Sequence, residues 1–482
     1  MDVFTAEETL VIDRRSPYVY VTRRKKVMVS EELYSDFADT LAKVRRIVIG
    51  EGICGIGEKA FFKCTNLREV VVGTDVTHIG YEAFYKCTGL TSLVLPPALT
   101  HIGDEAFCNC TGLTSLVLPS ALTHIGEAAF QGCKGLTSVA LPASLDLKQC
   151  GWGIFSYCTR LASVSIPDTL TALDGSMFCG CTHLKDPIII GTRLIFHQNA
   201  VGHFRVPDGI TEIADSAFDG NAKLTGITIP SSVTQIGQSA FSGCESLTSI
   251  VIPKGVTTIR NNTFELCESL TDIVLPSGLR AIGDWAFEAC KSLESVVIPD
   301  SITKIGSGAF RGCTALKSIV IPKGLTEIDD YIFIGCTSLA SIVIPDSITK
   351  IGDEAFRGCT ALTNLALPAK LTQIGDGAFR DCTALNSIVI PEQVTEIPMT
   401  AFTGCAALET VLLPEGLKSI NNEAFHGCKS LRQIEIPNGV TYLGRRVFCD
   451  CEALECVSMS AETTYGRSVF KNCPNLKAIV RT

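Results

Sequence analysis

The apolar positions of this chain recur in two short rhythms. Segments such as LTSIVIP, residues 247–253, alternate apolar and polar side chains around β-branched residues. That pattern predicts a short strand, which Pro253 ends because proline has no N–H to give a ladder. Segments such as VTTI, residues 256–259, alternate again and predict a second, shorter strand, closed in most units by Gly. Between them a Pro-x-Gly or Pro-x-Ser sequence predicts a turn. The remaining piece has the form AFxGCxx and predicts a tight turn or single helical turn that buries its Phe and Cys.

These pieces form a 23-residue unit, LxxIxIPxxVTxIGxxAFxGCxx, exemplified by residues 247–269. Phe61, Phe84, Phe107 and Phe130 are 23 apart; Phe155 follows after 25 and Phe178 after 23. After a gap of 40 residues, Phe218 to Phe448 keep strict 23-residue spacing, and Phe470 closes the series. A Leu lies six residues after every Phe, and a Cys three after all but Phe218, where Asn221 stands. One unit cannot bury its own apolar face, so stability must come from stacking on neighbours about 4.8 Å apart. The expected fold is a β-rich repeat solenoid.

The chain has 482 residues, more than one ordinary compact core supports, and 46% are hydrophobic, which excludes a disordered chain. A net charge of −9 argues against a general nucleic-acid binder. No apolar run approaches the length of a membrane span, and the N-terminus lacks the apolar core of a signal peptide. A cytoplasmic location is therefore expected, the alternative being the cell surface by unconventional export. Of 23 Cys, 17 occupy the same position of the unit. We expect them to be a reduced ladder of small buried groups, since disulfides would need a specific geometry repeated along the stack. Such a ladder points to a reducing compartment. The others are Cys54, Cys108, Cys150, Cys179, Cys449 and Cys456. Three of these make CxC pairs with Cys110, Cys181 and Cys451, but no His or second pair stands at finger spacing, so no metal site and no cofactor are expected.

The recurring LxxIxIPxxVTxIGxxAFxGC resembles the BspA-type, or Treponema-type, leucine-rich repeat, from about Val44 to Thr482. The resemblance implies a right-handed leucine-rich-repeat superhelix with a parallel concave sheet from the LxxIxI segments and short strands and turns on the convex side. Its members are often surface or secreted proteins that attach to other proteins or cells, and others lack an obvious export signal.

Four regions are expected. Residues 1–43 form an N-terminal cap, or a docking segment through Arg23, Arg24, Lys25 and Lys26. Within this segment VFTAEETLVI and SPYVYVTRRKKVMV predict strands, and SEELYSDFADTLAKV predicts a helix with Ser30 as N-cap. Residues 44–186 are repeats, 187–207 an irregular repeat or insertion that lacks the Phe and Cys of a normal unit, and 208–482 repeats again. The sequence stops at the end of a strand, so self-association through an uncapped C-terminal end is a further expectation.

No motif of an enzyme stands out: there is no GxSxG, Walker loop or HExxH. His78, His101 and His124 share one column and would stack, but other units place Gln or Lys there, as suits a solvent-facing position. The pair Asp329 and Asp330 is adjacent in sequence, which does not set two carboxylates around a substrate. The most informative candidates are outward-facing strand positions. The third strand position is mostly Ser and the fifth mostly Val, giving Ser249, Val251, Ser295, Val297, Ser318, Val320, Ser341, Val343, Ser387 and Val389 as partner-binding candidates. Trp152, in the 25-residue unit, is a candidate anchor. The expected function is a protein–protein interaction scaffold. The alternatives are a structural subunit of a large assembly or an adhesin exported without a classical signal.

Overall fold

The computed structural model describes residues 9–16, 19–21, 27–29, 33, 39, 41, 43–173 and 175–481. They fall into two compact units: one runs to Ala200 and includes Ala214–Asp219, the other comprises Val201–Ile213 and everything from Gly220 onward. Each is a parallel-strand solenoid whose rungs contribute one strand of about three residues and one of two.

In the first unit the longer strands pair in exact repeat register, Glu69↔Ser92 and Val71↔Val94, and the shorter ones pair His78↔His101 and His101↔His124. Thr9–Ile12 pairs in parallel with Arg46–Ile49, and Val27–Val29 with Gly55–Ile56, so the predicted strands before the repeats continue both ladders. Leu10, Ile12, Val29, Leu33 and Leu41 are buried beside Ile47 and Ile53. Arg23, Arg24, Lys25, Lys26, Ser30 and Thr482 lie outside the described residues.

The irregular segment does supply an aromatic, contrary to expectation. Ile188–Ile190 and Arg193–Phe196 form an antiparallel hairpin. It delivers Phe196 to the core, fully buried and edge-on to Phe178 at 6.0 Å. A hairpin closes in fewer residues than a rung, so this Phe arrives 18 residues after the last and the regular spacing hides it. In the second unit Gly202–Arg205 pairs in parallel with Leu224–Thr228, and the regular rungs follow.

The Phe column is a continuous stack from Phe61 to Phe178 in the first unit and from Phe241 to Phe470 in the second. Ring centroids are 5.1 Å apart for Phe61–Phe84 and 5.3 Å for Phe287–Phe310, with planes within 24° and 6° of parallel. The longer-strand ladder is less continuous. Ser115–Val117 has no strand assignment, and Ser295 and Asn364 join only through single bridges to Ser318 and Ser387.

Apart from one 3-10 turn, Gly175–Phe178, the AFxGC segment is a stacked turn and not a helix. In rung after rung the residues two before and two after the Phe have positive φ: Trp285 at 56° and Ala289 at 56°, Gly308 at 62° and Gly312 at 70°. The reversals alternate the direction of backbone groups. Trp285, Phe287 and Ala289 give their N–H to carbonyls of the next rung, while Glu288 and Cys290 bond within their own. Helical dihedrals would turn every N–H along one axis and forfeit the inter-rung bonds. This accounts for the Gly of AFxGC, since only glycine takes positive φ without cost. Gly312→Ala is expected to destabilise by about 1 kcal/mol from backbone strain alone, because a Cβ there would meet Ala289 at an ordinary 3.6 Å. The mirror change, Ala289→Gly, is expected to be neutral or slightly stabilising. Denaturant titration of both variants checks the pair, and equal losses in both would refute the backbone account.

The Gly that ends the shorter strand has another cause. A Cβ on Gly103 would sit 2.8 Å from backbone atoms of Gly80 and Tyr81, so the chains of successive rungs come too close for a side chain.

The cysteine ladder is reduced, with every described Cys a free thiol. It is more than a row of small apolar groups. Cys290 Sγ donates to the Phe264 carbonyl at 3.2 Å, Cys313 to Phe287 at 3.2 Å and Cys336 to Phe310 at 3.2 Å, and the pattern recurs along both units. Each S–H therefore satisfies a second lone pair of a buried carbonyl one rung back, which alanine or valine would leave bare. Burial pushes these thiols up, to about 12 for Cys336 and Cys382.

Candidate interaction surface

Alternation along the longer strand sends the central Ile inward and its two neighbours outward. In the second unit Ile250, Ile319 and Ile388 are buried. Their outward neighbours Ser249, Ser295, Ser318, Ser341 and Ser387 are exposed. Val251, Val297, Val320, Val343 and Val389 are between 59% and 84% exposed. Register keeps the columns straight: Ser318↔Ser341 with Val320↔Val343, and Ser387↔Thr410 with Val389↔Leu412. Val274 and Leu412, both half exposed, extend the apolar column. All ten strand candidates thus share one sheet face. Trp152, 78% exposed, lies in the first unit on the turn side of its rung, where its carbonyl accepts the Ala128 N–H at 2.9 Å. It is not part of this stripe.

Between Val343 and Val389 one rung interrupts the valine column. Asn364 and Ala366 stand where Ser and Val are usual, and the shorter side chain leaves an open hollow of about 810 Å³. It is lined mainly by Ile342, Leu365, Ala366, Leu367, Val389 and Pro391. The Ala is visible in the sequence, but without register it reads as one more small strand residue. The position just before the Ser column carries paired charges. Lys317 Nζ reaches Glu294 at 2.6 Å and Lys477 reaches Glu455 at 3.0 Å. Exposed pairs of this kind add little stability.

The other residues singled out in the sequence make contacts within the repeat. Asp330, Asp353 and Asp376 each accept a backbone N–H of the next rung, at 2.8, 2.8 and 2.9 Å. Asp329 accepts the N–H of Asp330 at 2.8 Å, so the adjacent acids hold the turns. His78 and His101 stack at 4.5 Å and His101 and His124 at 5.5 Å. The Thr77 and Thr100 hydroxyls bond Nδ1 of His78 and His101 at 2.7 and 2.8 Å. Cys108 lies against Gln131 and burial pushes it up to about 12, away from nucleophilic use. Because the ladder thiols are buried and engaged, their reduced state is a property of the core and does not report the compartment.

The stacked Leu, Ile, Phe and Cys columns, two parallel strands per rung and an open apolar sheet face define a leucine-rich-repeat solenoid. The chain belongs to the family of BspA-type leucine-rich repeat proteins. The family described as "BspA type Leucine rich repeat region (6 copies)" matches residues 35–147, 100–193, 189–315, 281–409 and 395–481. No curated protein matches the chain. Among solved structures it is similar to a leucine-rich repeat protein from Bacteroides ovatus, with 22% identity over 98% of this chain and 94% of that one and a TM-score of 0.30. A leucine-rich repeat protein from Eubacterium ventriosum shares 20% identity over 89% and 91% of the two chains, with a TM-score of 0.36. A leucine-rich cell surface protein from Faecalibacterium prausnitzii shares 21% over 99% and 92%, with a TM-score of 0.24. Among the described residues no helix is long and apolar enough to cross a membrane.

Proposed function

We propose that this chain is a protein-binding scaffold that engages a partner through the Ser/Val face of its second unit. The observation that carries the reading is the in-register row of valines, 59% to 84% exposed, on a sheet whose other face is closed by the core. A stripe of this kind is costly to leave in water and marks an interaction surface. The hollow at Ala366 suits one large apolar side chain of the partner as an anchor, with the flat valines around it excluding water. The shallow form and the scarcity of charge favour an extended protein contact over an enclosed small-molecule site. Trp152 is a separate contact candidate, and residues 1–43 act as the cap of the first rung. A cytoplasmic location remains our expectation, with the cell surface as the alternative.

The test compares proteins retained by the native chain with those retained by Ser318→Arg combined with Val320→Arg. Both positions are exposed, so the fold should survive, as thermal unfolding would verify. Two guanidinium groups on the stripe are expected to weaken retention at least tenfold, about 1.4 kcal/mol or more. Unchanged retention by a folded variant would refute the assignment of this face. Co-migration with one large complex through fractionation would favour a permanent structural subunit, and labelling of the chain on intact cells would favour adhesion.

A further inference from the structure

We infer that His426, Cys449 and Asp450 form a binding site for one divalent transition-metal ion of the zinc class. Asp450 Oδ2 lies 3.5 Å from His426 Nδ1 and 3.2 Å from Cys449 Sγ. All three donor atoms lie within 4.8 Å of one another, and no other such trio occurs among the described residues. A tetrahedral ion bound at about 2.0–2.3 Å sets its ligand atoms roughly 3.3–3.8 Å apart. The two Asp450 spacings already lie near that range, and the third pair, within 4.8 Å, closes up on binding. Imidazole, thiolate and carboxylate are the donors that zinc accepts, and three protein ligands leave the fourth position to water.

The architecture explains how the trio comes together. His426 and Cys449 both follow the Phe of their rung and are 23 residues apart, so stacking makes them neighbours. Asp450 occupies the position of positive φ, at 61°, where rungs such as those of Phe310, Phe333 and Phe425 carry Gly. The turn thereby presents a carboxylate beside the preceding thiol. A search for finger-like spacing looks within one segment and misses a site assembled across two rungs.

The surroundings orient the ligands. Asn472 Nδ2 donates to Asp450 Oδ1 at 2.6 Å, which leaves Oδ2 toward His426 and Cys449. The hydrogen bond from Asn472, followed by that from Cys449, holds the Asp450 carboxyl below its ordinary range. Such outer contacts fix ligand orientation in metal sites. Burial, followed by the hydrogen bond to Asp450, pushes the Cys449 thiol up, and Arg446 beside it offsets part of that rise; Arg446 also pairs with Glu423 at 3.3 Å. The thiol is therefore protonated without metal, and the guanidinium keeps Glu423 as its partner once an ion takes the sulfur. Without metal, His426 Nδ1 lies 3.0 Å from the Cys449 carbonyl, which suits an Nδ1–H donor. Binding moves that proton to Nε2 and releases the Cys449 proton to solvent, so affinity rises with pH.

The test uses the full chain, freed of metal by chelation and titrated with Co2+. One equivalent is expected to bind, with a thiolate-to-cobalt charge-transfer band and the visible bands of tetrahedral cobalt, and Zn2+ should displace it. Cys449→Ser is expected to abolish the charge-transfer band. His426→Gln and Asp450→Asn should each weaken binding at least tenfold, and Asn at 450 tolerates positive φ. Cys456→Ser, at a half-exposed thiol outside the trio, should change nothing. Thermal unfolding of each metal-free variant checks the fold. Absence of the thiolate band in the native chain, or its persistence in Cys449→Ser, overturns the site.

Discussion

Phe310→Ala is expected to destabilise the second unit by about 3–5 kcal/mol, the range for removing a fully buried aromatic ring from a core that cannot collapse. Phe310 is fully buried and sandwiched between Phe287 at 5.3 Å and Phe333 at 5.9 Å. Relaxation is blocked from both sides. The rungs are tied by backbone ladders on the strands and on the turns, so neither neighbour can slide into the void. Each rung of a solenoid is stabilised by its neighbours, so one cavity weakens two interfaces. The loss should therefore show as a split transition in denaturant as well as a lowered midpoint. Phe470 provides the contrast. It is only partly buried, stacked on Phe448 at 5.8 Å, and its Ala variant should lose much less. Equal losses at the two positions, measured by circular dichroism in urea, would mean that the stacked rings do not carry the core.

Alkaline pH is expected to unfold the solenoid more steeply than its carboxylates or lysines alone would. The cause is the thiol ladder. Burial raises Cys336 and Cys382 to about 12 and also pushes Cys290, Cys313 and Cys359 well up. Their ordinary value is near 9.0. A group whose folded pKa is raised gives its full stabilisation below the unfolded pKa. That stabilisation is lost as pH climbs through the folded value. The window therefore opens near pH 9 and extends to about 12 and beyond. Each thiol held neutral in the fold costs about 1.4 kcal/mol per pH unit once the unfolded chain ionises. Because many thiols act together, the urea midpoint should fall sharply between about pH 9 and 11. Cys313→Ser keeps a donor toward the Phe287 carbonyl and removes one titrating group, so its stability should decline less with pH. Cys313→Ala also removes the titration but loses the hydrogen bond, at a cost of about 1–2 kcal/mol at neutral pH. A flat pH profile, or equal neutral-pH stability of the Ser and Ala variants, would contradict the ladder's role as a set of buried neutral donors.

Much of the fold was legible because the repeat shows each environment many times over. Leu247, Ile250, Ile252, Val256, Ile259, Phe264 and Cys267 are all buried, as their columns predict. The outward Ser and Val columns were legible for the same reason, since alternation along a strand leaves them no other side. The reading went short where a position had two physical uses. Cys looked like a small apolar group and is also a donor to a carbonyl 26 residues earlier in sequence. AFxGC looked compatible with a helical turn, and its Gly in fact marks a reversal of φ that Leu266, Trp285 and Tyr331 also adopt. In those rungs the inter-rung bonds override residue preference.

By itself, the sequence determined the rung: its length, its two strands, its buried columns and the apolar stripe it turns to solvent. Local alternation and repetition suffice for these, because every unit meets the same neighbours. The tertiary structure alone decided what the turns present. It set a hairpin to carry Phe196 into the core, a hollow beside Ala366, and His426, Cys449 and Asp450 facing one another. Each depends on backbone direction at particular rungs, fixed by hydrogen bonds to the adjacent rung, which the spacing of residues along the chain does not encode by itself.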